Sequence, residues 1–269
     1  MISSTDKSSA LQSARGQEIN VLTLFPEAIT PYLESGVTGR ALERELISLE
    51  CVNFRDFASG NYKSVDDLPF GGGAGMVIQA EPVAQALDSL PERGRKLGHV
   101  ILTAPSGRTF TQRDAERLST YPILTFICGR YEGVDARLNI EYVNEVLSIG
   151  DYVLSGGELA TMVMIDAIAR LHPGALNNSE STEHESHSLS AQQLLEHPHY
   201  TRPATWRGHE VPPVLLSGHH ARIQAWRRLE SIKVTAQARP EILENIELTQ
   251  EERALVARLA QQENNDELA

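Results

Sequence analysis

Three short stretches combine glycine and hydroxyl residues where an apolar run stops, two of them with charged residues as well. They are Thr-Ala-Pro-Ser-Gly at 103–107, Cys-Gly-Arg-Tyr-Glu-Gly-Val-Asp at 128–135, and Ser-Ile-Gly-Asp-Tyr-Val-Leu-Ser-Gly-Gly-Glu at 148–158. The runs before them (His-Val-Ile-Leu, Ile-Leu-Thr-Phe-Ile-Cys and Val143–Ile149) read as buried strands. Glycine-containing turns at several strand ends suit one ligand bound at the carboxyl edge of a parallel sheet. Glycine lets backbone N–H and C=O groups approach such a ligand with no Cβ between them. Ser155-Gly156-Gly157 precedes an apolar segment, so free N–H groups at a helix start would favour an anion there. A tight strand-to-helix turn accounts for the same residues, and both can hold together. Arg130, Tyr131, Glu132 and Asp135 form a charged cluster after the second run, and a structural ion pair is its ordinary explanation.

Other motifs carry less. Gly-Gly-Gly-Ala-Gly at 71–75 lacks the spacing of a phosphate loop and of a dinucleotide fingerprint, and reads as a connector. Histidines pair at 184/187, 197/199 and 219/220. With no cysteine nearby and no zinc-type carboxylate spacing, no metal site is expected from them.

The elements that would position these residues alternate in type. Strands are expected at Ile19–Phe25, Leu49–Phe54, His99–Ala104 and Ile123–Cys128, with helices at Thr38–Leu49, Pro82–Leu90, Thr111–Ser119 and Glu158–Leu171. His172-Pro173-Gly174 stops the last. Such alternation implies an α/β fold with a mostly parallel sheet covered on both faces. Residues 1–17 are polar, lack an apolar core and read as a disordered tail rather than a secretory signal. Residues 18–176 form the α/β domain, and 177–197, rich in Ser and Glu, a flexible linker. Residues 198–269 form a small C-terminal all-helical domain, with a helix at His219–Ile232 and one or two more at Glu241–Leu259.

The net charge of −12 is unfavourable for a nucleic-acid binder. Yet from Pro198 to Arg239 the bases Arg202, Arg207, Arg222, Arg227, Arg228, Lys233 and Arg239 face only Glu210 and Glu230. A basic segment inside an acidic chain is an RNA-binding footprint, although solvated helix faces give the same count. Cys51 and Cys128 sit in apolar contexts and read as reduced thiols in a cytoplasmic protein. No apolar run approaches the ~20 residues of a membrane span.

Taken together, the 128–135 and 148–158 motifs resemble the bacterial tRNA (guanine-N1)-methyltransferase family, TrmD, of the SPOUT superfamily. Leu24–Glu27, Val37–Ala41, Val65–Met76, His199–Pro203 and Val211–Ile223 extend the match from about Ile19 to about Leu259. The resemblance implies a trefoil-knotted cofactor site, a homodimer with each site built from both subunits, and methyl transfer from S-adenosylmethionine to N1 of the guanine just 3′ of the anticodon (position 37). It implies donor binding by Leu102, Thr103, Pro105, Gly129, Ile149, Gly150, Asp151, Tyr152, Val153, Leu154, Gly156 and Gly157. Asp66, Gly75, Arg130, Glu132, Arg202 and Arg222 would meet the tRNA, and Mg2+ is an assisting ion of the family. The family places an Arg at the helix end and, fifteen residues on, an Asp as general base. Here these positions are Arg170 and Glu185, so the carboxylate is kept but stands one methylene farther out. Arg170 is then the stabiliser of guanine O6 and Glu185 the base. Two alternatives remain open: a SPOUT methyltransferase of ribosomal RNA, separable by assay on both RNAs, and a non-catalytic RNA-binding relative that binds donor and tRNA without turnover.

Overall fold

The computed structural model describes residues 16–176, Ser186 and 194–266. The chain divides into two compact units, Met1–Asn177 and Asn178–Ala269.

The first unit is an α/β layer structure. Its long strands are β1 (Gln17–Thr23), β2 (Ile47–Asn53), β5 (His99–Thr109), β6 (Ile123–Cys128) and β7 (Glu145–Ser148), with a two-stranded ribbon of β3 (Asp66–Asp67) and β4 (Val77–Ile78). The five-stranded sheet has the order β2-β1-β6-β5-β7, and every pairing in it is parallel. Parallel strands buried on both faces read as continuous apolar runs, which is why the strand expectations from sequence fall on these elements. Alternate residues feed the two faces. Ile19, Val21, Leu124 and Phe126 pack on one side with residues of α1 (Pro26–Leu33), α2 (Gly36–Glu43), α4 (Gln112–Ser119) and α6 (Glu158–Ala169). Leu22, Val100, Leu102 and Ile127 pack on the other with α3 (Ala80–Asp88) and α5 (Arg137–Glu141).

Two expected elements shift. The helix read over Thr38–Leu49 ends at Glu43, because Glu45 turns left-handed (φ 55°) and Leu49 pairs with Ile19 as part of β2. Thr103–Gly107 is an interruption inside β5 rather than its end. Pairing with Leu147 occurs at Thr103 and resumes at Arg108, so Ala104–Gly107 bulge out between.

The second unit holds α7 (Pro213–Leu216), α8 (His220–Ala238) and α9 (Gln250–Asp266), with a 3-10 turn at Pro240–Asn245. Its core is Leu194, Ile232, Ala236 and Leu243. It is not purely helical. The strands β8 (Thr205–Trp206) and β9 (His209–Glu210) form a hairpin. Arg207 and Gly208 both take positive φ (53° and 84°), as a two-residue hairpin turn with the twist of its strands requires. No helix among the described residues is long and apolar enough to cross a membrane.

Candidate active site

At the carboxyl edge of β5, β6 and β7 the three glycine-containing loops meet. Gly157 donates its backbone N–H to the Gly129 carbonyl at 2.8 Å, and Arg130 and Gly156 form an antiparallel bridge. Thr103 Oγ1 donates towards the Ile127 carbonyl at 3.2 Å, with the Gly157 carbonyl at 3.4 Å. Three segments distant in sequence are thereby joined into one wall. The contact is too close for a side chain at Gly157, where a Cβ would stand 2.1 Å from Thr103 Oγ1 and 3.0 Å from Cys128 Cα and the Gly129 N.

These loops enclose a cleft of about 460 Å3, within the range of small-molecule sites. Of the twelve residues expected to hold a donor, Leu102, Thr103, Pro105, Gly129, Ile149, Tyr152, Val153, Leu154, Gly156 and Gly157 line it. Gly150 and Asp151 do not; they lie in the turn between β7 and Tyr152, where the Ser148 hydroxyl bonds the Gly150 backbone.

Arg130 and Glu132 line the same cleft. Tyr131 between them takes φ 58°, uncommon for a non-glycine residue and typical of strain held at functional loops. Gly75 lies against this loop: a Cβ there would meet Glu132 Oε1 at 2.4 Å. The Glu132 N–H donates to the Met76 carbonyl, and the N–H groups of Ile78 and Asp135 exchange with Gly133 and Ile78 carbonyls. Residues 76–78, just after the glycine-rich segment, are thus bonded to the 132–135 loop, while Gly71–Gly75 itself is exposed, as a connector would be. Asp66 stands in β3, opposite Ile78, away from the cleft lining.

Arg170 caps the C-terminal end of α6, with its N–H on the Asp166 carbonyl at 3.3 Å. Glu185 lies outside the described residues. Arg202 and Arg222 are exposed in the second unit.

Burial pushes the Cys128 thiol well above the usual cysteine range, so it stays protonated, facing Thr161 Oγ1 at 3.3 Å. Asp135 is held down to about 2 by hydrogen bonds from the Arg137 side chain and backbone, which marks it as a loop anchor.

The sequence gives Thr23, Phe25 and Glu158 no role of their own, although Phe25 falls in the 24–27 segment and Glu158 closes the 148–158 motif. Glu158 is buried at the start of α6 and accepts from Thr23 Oγ1 at 2.9 Å and Arg130 Nε at 3.1 Å. The Phe25 ring lies 4.2 Å from the Arg130 guanidinium carbon. A buried Glu following Gly-Gly is a weak sequence signal, and its partners lie 135 and 28 residues away.

A family model described as tRNA (Guanine-1)-methyltransferase TrmD matches residues 17–245. The chain belongs to the TrmD family. Curated relatives named tRNA (guanine-N(1)-)-methyltransferase align over nearly their whole length. That of Lactobacillus delbrueckii subsp. bulgaricus is 50% identical over 249 residues, 93% of this chain and 98% of the relative. Those of Brevibacillus brevis (49% over 244 residues, 91% of this chain) and Dehalococcoides mccartyi (47% over 247 residues, 92%) are each covered to 98%. The cleft at the ends of β5–β7 and the segments quoted from the sequence fall within the matched span.

Donor chemistry in the first unit fits a nucleoside sulfonium: bare backbone at Gly129, Gly156 and Gly157 beside apolar Leu102, Ile149 and Leu154. Magnesium fits less well. Among the described residues the group that could hold an ion is Glu196, His197 and His199, and two imidazoles suit zinc-like ions rather than an ion that demands oxygen ligands.

Proposed function

We propose that this TrmD-family enzyme transfers a methyl group from S-adenosylmethionine to N1 of the guanine immediately 3′ of the tRNA anticodon. The observation that carries the reading is the cleft of bare backbone and apolar side chains where three loops meet, in a chain matched to the family over residues 17–245. S-adenosylmethionine, when bound, supplies an already activated methyl group, so the protein has only to orient the acceptor and remove its proton. Glu185 takes the N1 proton as general base, and Arg170 stabilises the negative charge that builds on O6. Arg130 and Glu132 stand between donor and acceptor, with Asp66 and Gly75 supporting the acceptor side. The guanine leaves its stack to reach the cleft.

The basic stretch from Pro198 to Arg239, with Arg202 and Arg222, grips the anticodon stem through phosphates. A trefoil knot at the donor site, a homodimer with shared sites, and a cytoplasmic location complete the proposal.

The test is single-turnover methyl transfer to an anticodon hairpin bearing guanine at the acceptor position, beside an adenine hairpin and a ribosomal RNA transcript. Transfer to the first alone is expected. Glu185→Gln should lower the rate by about 100-fold with little change in donor or RNA affinity, since only the proton acceptor is removed. A Gln variant with the unaltered rate and pH profile would take the base role from Glu185.

A further inference from the structure

We propose that Glu158, Thr23 and Phe25 form a positioning set that holds Arg130 at the rim of the cleft as a fork for a pair of anionic oxygens on a bound substrate. The inference rests on the methyl-transfer reading above and extends it to residues that do not line the cleft.

The set is a relay running from β1 to the cleft. The Phe25 N–H donates to Thr23 Oγ1 at 3.0 Å, and Thr23 Oγ1 donates to Glu158 Oε1 at 2.9 Å. The same oxygen accepts from Arg130 Nε at 3.1 Å. Glu158 is almost fully buried while Arg130 keeps about a quarter of its side chain exposed (6% and 26%). The Phe25 ring covers one face of the guanidinium at 4.2 Å. The inner edge of Arg130 and one of its faces are therefore taken. Among the described residues no hydrogen bond takes up its Nη groups, which remain as a two-pronged edge. That edge has the geometry for bidentate contact with a carboxylate or phosphate.

Gly156 makes room for the pair. A Cβ there would stand 2.4 Å from Glu158 Oε2 and 2.8 Å from Arg130 Nε. The backbone of Arg130 is fixed as well, by its bridge to Gly156. A buried ion pair is a poor way to gain stability, because desolvating two charges offsets their attraction. An arrangement that fixes the backbone, one edge and one face of a single guanidinium is better explained by the orientation it gives the remaining edge.

The anionic partner has two possible sources, the carboxylate of the methyl donor and a phosphate of the RNA. Donor affinity measured by calorimetry without RNA separates them from the hairpin KM in steady-state transfer.

The experiment compares the unaltered chain with Arg130→Ala, Glu158→Gln, Phe25→Leu, and the two double variants that add Glu158→Gln or Phe25→Leu to Arg130→Ala. Melting temperature is recorded for each. Glu158→Gln keeps shape and removes charge. Phe25→Leu removes the ring at a partly exposed position and decides the matter should Glu158→Gln not fold. Glu158→Gln and Phe25→Leu are each expected to weaken one ligand by about tenfold, the scale of a charge-assisted contact. A weaker donor Kd identifies the carboxylate and a raised hairpin KM the phosphate. In the Arg130→Ala background both effects should shrink below twofold, because the positioning residues act through Arg130. Losses that persist in full in that background, or unchanged constants in both single variants, overturn the proposal and leave a structural ion pair. Absence of methyl transfer by the unaltered chain would refute the functional reading instead, and the donor calorimetry would still report on Arg130.

Discussion

Gly157→Ala adds one methyl group at the point where the three loops are joined. The new Cβ would lie 2.1 Å from Thr103 Oγ1, which could rotate away, but also 3.0 Å from Cys128 Cα and from the Gly129 N, which cannot. Those two atoms belong to the end of β6, at the centre of the sheet, between β1 and β5. Relief must come from moving 155–157 outward, which stretches the 2.8 Å bond from the Gly157 N–H to the Gly129 carbonyl. Overpacking of this kind costs about 1–3 kcal/mol, and the weakened hydrogen bond adds about 1 kcal/mol. A total near 3 kcal/mol corresponds to a fall of about 6–12 °C in melting temperature for a unit of this size. The displaced segment is a wall of the cleft proposed for the donor, so S-adenosylmethionine affinity should drop by about tenfold or more, each factor of ten being about 1.4 kcal/mol. Gly129→Ala is the control for stability. Its Cβ would meet only the Thr103 carbonyl oxygen, at 3.3 Å, and a shift of a few tenths of an ångström relieves that. Scanning fluorimetry on both variants and donor calorimetry on Gly157→Ala decide the matter. A Gly157→Ala protein with unaltered melting and donor affinity, or a Gly129→Ala protein equally destabilised, would refute this account of the loop junction.

Three further outcomes follow from particular contacts. Replacing Arg222 and Arg227 with Ala should weaken anticodon-hairpin binding and flatten its dependence on log salt by about one to two units of slope, leaving donor affinity unchanged; an unchanged slope would put the RNA on another surface. Arg228→Ala should behave differently, because Arg228 pairs with the buried carboxylate of Glu252 (Nε at 2.5 Å, Nη2 at 3.2 Å to its second oxygen). It is expected to destabilise the second unit by about 2 kcal/mol with a smaller effect on the salt slope, read by urea melts of the full chain. Asp114 is buried, which would raise its pKa, but hydrogen bonds from Arg108, Thr111 and Arg117 hold the carboxyl well below the usual range. A lowered folded pKa gives stability that is fully present above the unfolded value near pH ~4 and is lost as pH falls through the folded one. The melting temperature of the unaltered chain should thus fall more steeply below about pH 4 than that of Asp114→Asn, and parallel curves would show that the network contributes nothing to acid stability.

How far the site can be read from the sequence depends on how local its determinants are. The central strands are legible because they are buried on both faces and are mostly apolar, as Ile123–Cys128 is. The two glycine-bounded motifs are legible because bare backbone at strand ends has few other uses. Residues that turn on a single dihedral are not: nothing in Glu45 announces a left-handed conformation, so the helix expectation runs on to Leu49. The helix at Pro26–Leu33 is hidden by Pro31 within it, which sequence rules treat as a breaker. The bulge at 104–107 looks like a strand end, because pairing resumes only at Arg108, beyond Pro105 and Gly107.

The Arg130 arrangement is the least legible of all and the most informative. Each of its members has a sufficient local explanation: Thr23 as a strand residue, Phe25 as part of a turn, Glu158 as an acid in the first turn of a helix, where the dipole favours it. Only the fold brings Thr23 within 2.9 Å and Arg130 within 3.1 Å of one carboxylate oxygen. Sequence motifs therefore mark the loops that line the cleft, while the groups packed around Arg130 come from positions up to 135 residues apart. In this enzyme the two kinds of information converge on Gly156. It reads in the sequence as a donor-loop glycine, and in the fold it is also the residue whose missing side chain gives Arg130 and Glu158 room to pair.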